Sequence, residues 1–218
     1  MSEQRQIRIL VVGDVEAKYL WDYYQPGRLD GIGLILAAGD LDPHYLSFLA
    51  TFSKGPVLYI HGNHDDRYAE TPPEGCICIE DQLYVHQGLR IVGLGGCLRY
   101  NQGINQYSER EMMRRIRRLQ LPLLRYGGCD ILLTHAPARG LHDGSDPTHC
   151  GFQCFVSFLD RYQPMCFVHS HIHPSYLDGY ARIDTYHGVQ IINAYEKYIF
   201  ELPVPTDRQK GGNRNGRA

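Results

Sequence analysis

Five apolar runs, each stopping abruptly at a glycine or a group with chemistry to offer, limit the architectures open to this chain. They are Ile7–Val12, Ile32–Ala37, Val57–Ile60, Ile131–Thr134 and Met165–Val168. Short runs of this kind, rich in β-branched residues, read as buried strands. Helical signals separate the first three. Ala17–Tyr24 reads as a helix closed by Pro26-Gly27. Pro43–Phe52 sets Tyr45, Leu46, Phe48, Leu49 and Phe52 at helical spacing, with Pro43 suited to a first turn. The order strand, helix, strand, helix, strand predicts parallel pairing through right-handed crossovers.

The rhythm then changes. Cys76–Ile79, Leu83–His86 and Leu89–Leu94 are short strands with polar or glycine breaks, which suits hairpins and implies a mixed sheet or two sheets packed face to face. Ser108-Glu109-Arg110-Glu111 predicts a capping box opening a helix to about Leu119. Its apolar side is Met112, Met113, Ile116 and Leu119, and Arg110, Arg114, Arg115, Arg117 and Arg118 form its solvated face. Phe152–Tyr162 predicts a further helix, and Val189–Ile192 and Tyr198–Leu202 predict closing strands. The expected division is one domain over 1–202 and a disordered polar tail over 203–218.

Composition removes several classes. The chain has 218 residues, 43% of them hydrophobic, enough for one domain with a large core. A net charge of −2 gives no general attraction to nucleic acid or anionic membrane, although a nucleic-acid partner stays open. No apolar run reaches the ~18 residues of a spanning helix, and no secretory leader is legible, so a cytoplasmic protein without a membrane partner is expected. Seven cysteines without framework spacing predict reduced thiols. Gly93-Leu94-Gly95-Gly96 has Leu98 where a dinucleotide loop needs its last glycine. His149-Cys150 has Val156 where a cysteine phosphatase loop needs arginine. Asp40-Leu41-Asp42 has His44 where a haloacid-dehalogenase-type phosphatase needs threonine.

What the strands present is more telling. After the apolar runs come Asp14 and Glu16, then Asp40, then Asn63 and His64, then His135, then His171 and His173. All are metal ligands or proton carriers. One sheet system would gather them at its strand ends. Carboxylates buried together repel one another and lose hydration unless cations neutralise them. Two divalent ions would do so, with Asp40 as a shared carboxylate, and would supply the two-metal route to in-line displacement at phosphorus. His64, next to ligand Asn63, would protonate the leaving oxygen.

These motifs, Asp14-x-Glu16, Gly39-Asp40, Gly62-Asn63-His64-Asp65, Thr134-His135-Ala136-Pro137 and His171-Ile172-His173, resemble in order those of calcineurin-like metallophosphoesterases. The resemblance covers about Ile7 to Asn193. It implies an α/β fold, a four-layer α/β/β/α sandwich with two mixed sheets and a metal site at the strand C-terminal edge. It implies two divalent metals and hydrolysis of a small phosphoester, a nucleotide among the candidates, without a covalent intermediate. By matching position, Asp14, Glu16 and His173 would hold one ion, Asn63, His135 and His171 the other, and Asp40 would bridge. His64 takes the catalytic histidine position.

Glu16 stands where the family pattern has histidine. A harder, more anionic site favours manganese, with iron, zinc and magnesium as alternatives. Arg99, Asn101 and Arg139, just after strand ends, are candidate substrate-binding residues. A phosphodiesterase is expected ahead of a phosphomonoesterase. The competing expectation is a non-catalytic metal- or protein-binding module on the same fold, like the scaffold member of retromer, though such a module would be expected to lose His64 or several ligands.

Overall fold

The computed structural model describes residues 5–176 and 181–205. Its strands are β1 (Gln6–Gly13), β2 (Leu34–Ala37), β3 (Val57–Tyr59), β4 (Ile77–Cys78), β5 (Gln82–His86), β6 (Leu89–Leu94), β7 (Cys97–Leu98), β8 (Gln106–Tyr107), β9 (Ile131–Thr134), β10 (Cys166–His169), β11 (Ile183–Tyr186), β12 (Val189–Asn193) and β13 (Glu196–Pro203). Its α-helices are α1 (Pro43–Phe52), α2 (Glu109–Arg118), α3 (Gln120–Tyr126) and α4 (Gln153–Tyr162).

The first sheet has the order β13-β1-β2-β3-β4, the second β11-β12-β10-β9-β6-β5, and β7-β8 form a small separate pair. β1 to β4 are parallel, as the crossovers predict, and β13 closes the sheet antiparallel to β1. In the second sheet β6, β9, β10 and β12 are parallel, flanked by antiparallel β5 and β11. Both sheets are mixed.

Alternate residues of β1 explain the layering. Ile9 and Val11 pack between the sheets with Leu36, Leu58, Leu133 and Val168. Leu10 and Val12 point the other way, onto Tyr45, Leu46 and Leu49 of α1. On the second sheet, Val92, Leu132, Phe167 and Ile191 meet Met112 and Ile116 of α2, Leu123 of α3 and Phe155, Phe158 and Leu159 of α4. The result is a four-layer α/β/β/α sandwich. Strands covered on both faces must be apolar throughout, and each aliphatic side chain so buried contributes about 1.5–3 kcal/mol.

Two helices start as predicted. Asp42 caps α1 by accepting from the His44 N–H at 2.8 Å, with Pro43 in the first turn. At α2 the Ser108 hydroxyl accepts from the Glu111 N–H, and the Glu111 carboxylate accepts from the Ser108 N–H at 2.7 Å.

Other elements differ from expectation. Ala17–Tyr24 contains only a single 3₁₀ turn, Lys18–Leu20. Arg28 donates to the carbonyls of Tyr19 and Tyr23, and the Tyr23 N–H bonds Lys18 O, so the i→i−4 ladder is replaced. β4 forms no hairpin and instead adds to β3 in parallel. α3 follows α2 directly, with Pro122 tolerated in its first turn, where its absent N–H is not needed. β11 is largely exposed and so has no apolar signature. Arg115 does not belong to the solvated face of α2. It is buried, donating to Asp81 at 2.7 Å, to Gly95 O at 2.8 Å and to Glu80. The domain also runs past 202, because Pro203 ends β13 and Val204 packs in the inter-sheet core. The rest of the expected tail, 206–218, lies outside the described residues.

Candidate metal centre

The parallel strands place their C-terminal ends together. Asp14 follows β1, Asp40 follows β2, Asn63 follows β3, His135 follows β9, and His171 follows β10. The ends of the two sheets are joined by the His135 imidazole, whose Nδ1 lies 2.8 Å from Ala38 O, and by the Asp14 carboxylate, which accepts the His171 N–H at 2.8 Å.

Around His135 Nε2 lie Asn63 Oδ1 at 3.0 Å, His171 Nδ1 at 3.1 Å and Asp40 Oδ2 at 3.3 Å. Second bonds fix which atoms are bare. His135 Nδ1–H donates to Ala38 O, leaving the Nε2 lone pair inward. His171 Nε2–H donates to Thr148 O at 2.8 Å, leaving the Nδ1 lone pair inward. The Asn63 amide donates to Tyr100 Oη at 3.3 Å, which turns its carbonyl inward. Lone pairs from two imidazoles, a carbonyl and a carboxylate therefore converge. They need a cation among them, and carbonyl-anchored imidazoles are the usual support of a metal ligand. The ligand atoms of Asp40, His135 and His171 all lie within 4.8 Å of one another. The donor set fits a divalent ion.

The site's demand for positive charge also shows in its proton affinities. Burial pushes the His135 imidazolium down, but the Asp40 carboxylate and then Asp14 override it and hold His135 up at about 9. Burial pushes Asp40 up, but His135 overrides it and holds Asp40 at about 2. His171 is held near 3, mainly by burial and then by His135. Burial raises the Asp14 carboxyl above its ordinary value.

A metal entering this set must displace the His135 proton, so its apparent affinity falls as pH drops below about 9. Raising pH from about 7 to about 8 should tighten metal binding about tenfold and binding should release about one proton, as measured by calorimetry in buffers of different ionisation enthalpy. The same shift acts oppositely on the metal-free fold. His135 sits above its ordinary 6.5, so its contribution is full below 6.5 and is lost as pH rises through about 9.

Backbone strain concentrates here. Asp14, Asp40 and His171 have φ of 61°, 57° and 69°, in the left-handed region. Such residues persist only where the surroundings over-determine them. At Asp40 that role falls to Asp65, a buried carboxylate outside the ligand set expected from the sequence. It accepts from Gly62 N at 2.6 Å, Asp40 N at 2.8 Å and Leu41 N at 3.3 Å, and so pins the two ligand loops to each other. Burial and then Asp40 push Asp65 up to about 6. The loops touch through Gly39, at φ 91°, and Gly62, where any Cβ would run into the opposite backbone or the Asp40 carboxylate. Behind them, Glu80 accepts from His61 N at 3.0 Å and Gly95 N at 2.8 Å, with the buried Arg115 as its counter-charge.

The remaining predicted residues stand as follows. Glu16 Oε1 accepts from Asp42 N at 2.7 Å, and Glu16 and Asp40 line the same cleft. His173 packs on the Tyr195 ring at 4.7 Å and lies in electrostatic range of Asp14. His64 is exposed, and its N–H donates to Asp40 Oδ1 at 2.7 Å.

The candidate substrate residues are not gathered at this centre. Arg99 is bound to Glu111 at 2.9 Å and lines a separate cavity beside α2. Asn101 accepts from Gly103 N and Gln106 Nε2, both at 2.7 Å, within its own loop. Arg139 is exposed, with its N–H on Phe152 O. Tyr100, between the first two, is the residue of that loop that reaches Asn63. His169 is buried beneath the ligands, with Nε2 on His142 Nδ1 at 3.0 Å.

Comparison with solved structures finds the same fold. The structure resembles that of TT1561 of Thermus thermophilus, at 10% identity over 92% of this chain and 100% of that chain, with a TM-score of 0.57. A second solved structure matches at 11% identity over the same shares, with a TM-score of 0.60. Vps29 of Chaetomium thermophilum matches at 15% identity over 86% of this chain and 72% of that chain, with a TM-score of 0.38. No curated protein matches in sequence. The family model for calcineurin-like phosphoesterases matches residues 7–175, which takes in every strand end of the centre, and the chain belongs to that family.

Proposed function

We propose that this protein is a metal-dependent phosphoester hydrolase with a dinuclear centre that prefers phosphodiesters to phosphomonoesters. The observation that carries the reading is the set of lone pairs converging on His135 Nε2. Asn63, His135 and His171 would hold one ion, Asp14, Glu16 and His173 the other, and Asp40 would serve both. Divalent ions held there would supply an acidified water as nucleophile and charge stabilisation for the phosphoryl group.

The chain supplies the rest. Asp40 keeps its carboxylate aimed because the His64 N–H takes Oδ1 while Oδ2 faces His135. Asp14 is aimed by the Ser170 hydroxyl at 2.6 Å and the His171 N–H. His64 lines the open cleft with Asp40, where its imidazole can hand a proton to the departing alkoxide. The anionic Glu16 supports manganese over zinc. Among the described residues no helix is long and apolar enough to cross a membrane. All seven cysteines are free, which supports a reducing, cytoplasmic location.

The test is metal content together with turnover of bis-p-nitrophenyl phosphate and p-nitrophenyl phosphate after manganese is added. Two ions and diester-preferring turnover are expected. One ion or none, with no turnover of either ester, would leave a non-catalytic module on this fold. His64→Ala should retain the metal and lose about 10²–10⁴ in kcat, the usual worth of a positioned general acid. Unchanged turnover of an ester with a poor leaving group would remove His64 from that role.

A further inference from the structure

Beside His64 and Asp40 lies a cleft of about 550 Å³, the size of a small-ligand site. One wall is Trp21, the only tryptophan of the chain. Its ring is stacked on the buried Tyr45 of α1, with centroids 5.1 Å apart and planes 8° from parallel, so it is a fixed platform. Charge on the other walls is mostly negative and mostly committed. Asp42 is paired with Arg67 at 2.9 Å, and Glu16 accepts the Asp42 N–H. Lys18 and Asp22 also line the cleft, and neither has an ion pair or side-chain hydrogen bond among the described residues. They offer one donor and one acceptor to a ligand. An aromatic wall edged by one donor and one acceptor suits a flat, neutral ring with polar edges.

We infer that this cleft is a subsite for the uncharged planar group, such as a nucleobase, of a phosphodiester, with Trp21 as its stacking platform and specificity-determining residue. The inference rests on the hydrolase reading for the position of the phosphoryl group and goes beyond it in naming what lies next to that group. It separates substrates. A diester with a ring on one arm is preferred to one with small alkyl arms.

A single tryptophan makes the test direct. Adenosine, which carries the ring without a phosphoryl group, should quench Trp21 emission saturably when added to the intact magnesium-loaded protein. Inorganic phosphate, which has no ring, should neither quench nor compete with it. With manganese, kcat/KM for thymidine 5′-p-nitrophenyl phosphate should exceed that for methyl p-nitrophenyl phosphate about tenfold, the size of one base–aromatic stack. Trp21→Ala should remove that preference mainly through KM, and Trp21→Phe, which keeps a ring on Tyr45, should restore most of it. Unmoved emission together with no preference, while bis-p-nitrophenyl phosphate is hydrolysed, would overturn the subsite and leave the hydrolase reading intact. Quenching by adenosine without turnover of any ester would uphold the subsite and overturn the hydrolase reading. Competition by inorganic phosphate against adenosine would overturn the assignment to a neutral group. The wild-type emission measurement does not depend on either variant folding.

Discussion

Asp40→Ala should abolish tight metal binding and lower any phosphoester turnover by well over about 100-fold, the upper end of what supporting groups alone cost. The size follows from position. Asp40 is the carboxylate of the converging donor set and the residue expected to serve both ions. Without it, His135, His171 and Asn63 remain as neutral donors, and the charge that draws a divalent ion into a buried site is largely gone. A second signature distinguishes loss of this charge from general damage. His135 is held near 9 chiefly by Asp40, so in Asp40→Ala burial should dominate and its pKa should fall below its ordinary 6.5. Imidazole titration followed by NMR on the metal-free protein reads this directly. A variant that retains stoichiometric metal, measured by mass spectrometry of metal content, would show that Asp40 is not a ligand.

Asp65→Ala should be the most destabilising single change at the centre, by about 2–4 kcal/mol. It removes the acceptor for the N–H groups of Gly62, Asp40 and Leu41. Each orphaned buried N–H costs about 1–3 kcal/mol, and relief of one buried charge offsets part of the sum. A domain stable by about 5–15 kcal/mol survives this loss with little margin. The consequence for the site is larger than for the fold. Asp40 sits at φ 57°, and Gly62 approaches it too closely for any Cβ, so slackening either loop separates Asp40 from Asn63. Urea denaturation should show a lower midpoint at unchanged slope, and metal affinity should fall in the folded protein. Asp65→Asn keeps one oxygen and should recover part of both. An unchanged midpoint would mean that water satisfies these N–H groups and that Asp65 does not hold the turn.

The strands of the site were legible because each is covered on both faces and must be apolar from end to end. The residues after them were legible because carboxylate, imidazole and carboxamide groups gathered at one edge have few structural uses. Residues whose role depends on who lies opposite were not. Arg115 occupies a helix position shared with four exposed arginines, and only Glu80 and Asp81, brought beneath α2 by the turn before β5, bury it. Arg99 follows a strand end as a substrate residue should, yet the capping box of α2 places Glu111 within its reach. Asp65 reads as one more acid after a glycine turn, and its partners lie on a loop 25 residues earlier.

The sequence by itself therefore determined the layered α/β architecture, the parallel core of the first sheet and the chemical types at the strand ends. Those depend on local hydrophobicity, which is a property of each segment alone. The tertiary structure decided which nitrogen of each histidine is bare, how the left-handed turns at Asp14, Asp40 and His171 are held, and that Tyr100 rather than Arg99 meets the centre. Each of these is a hydrogen bond between segments distant in the chain, and its energy exists only when the sheets bring both partners together.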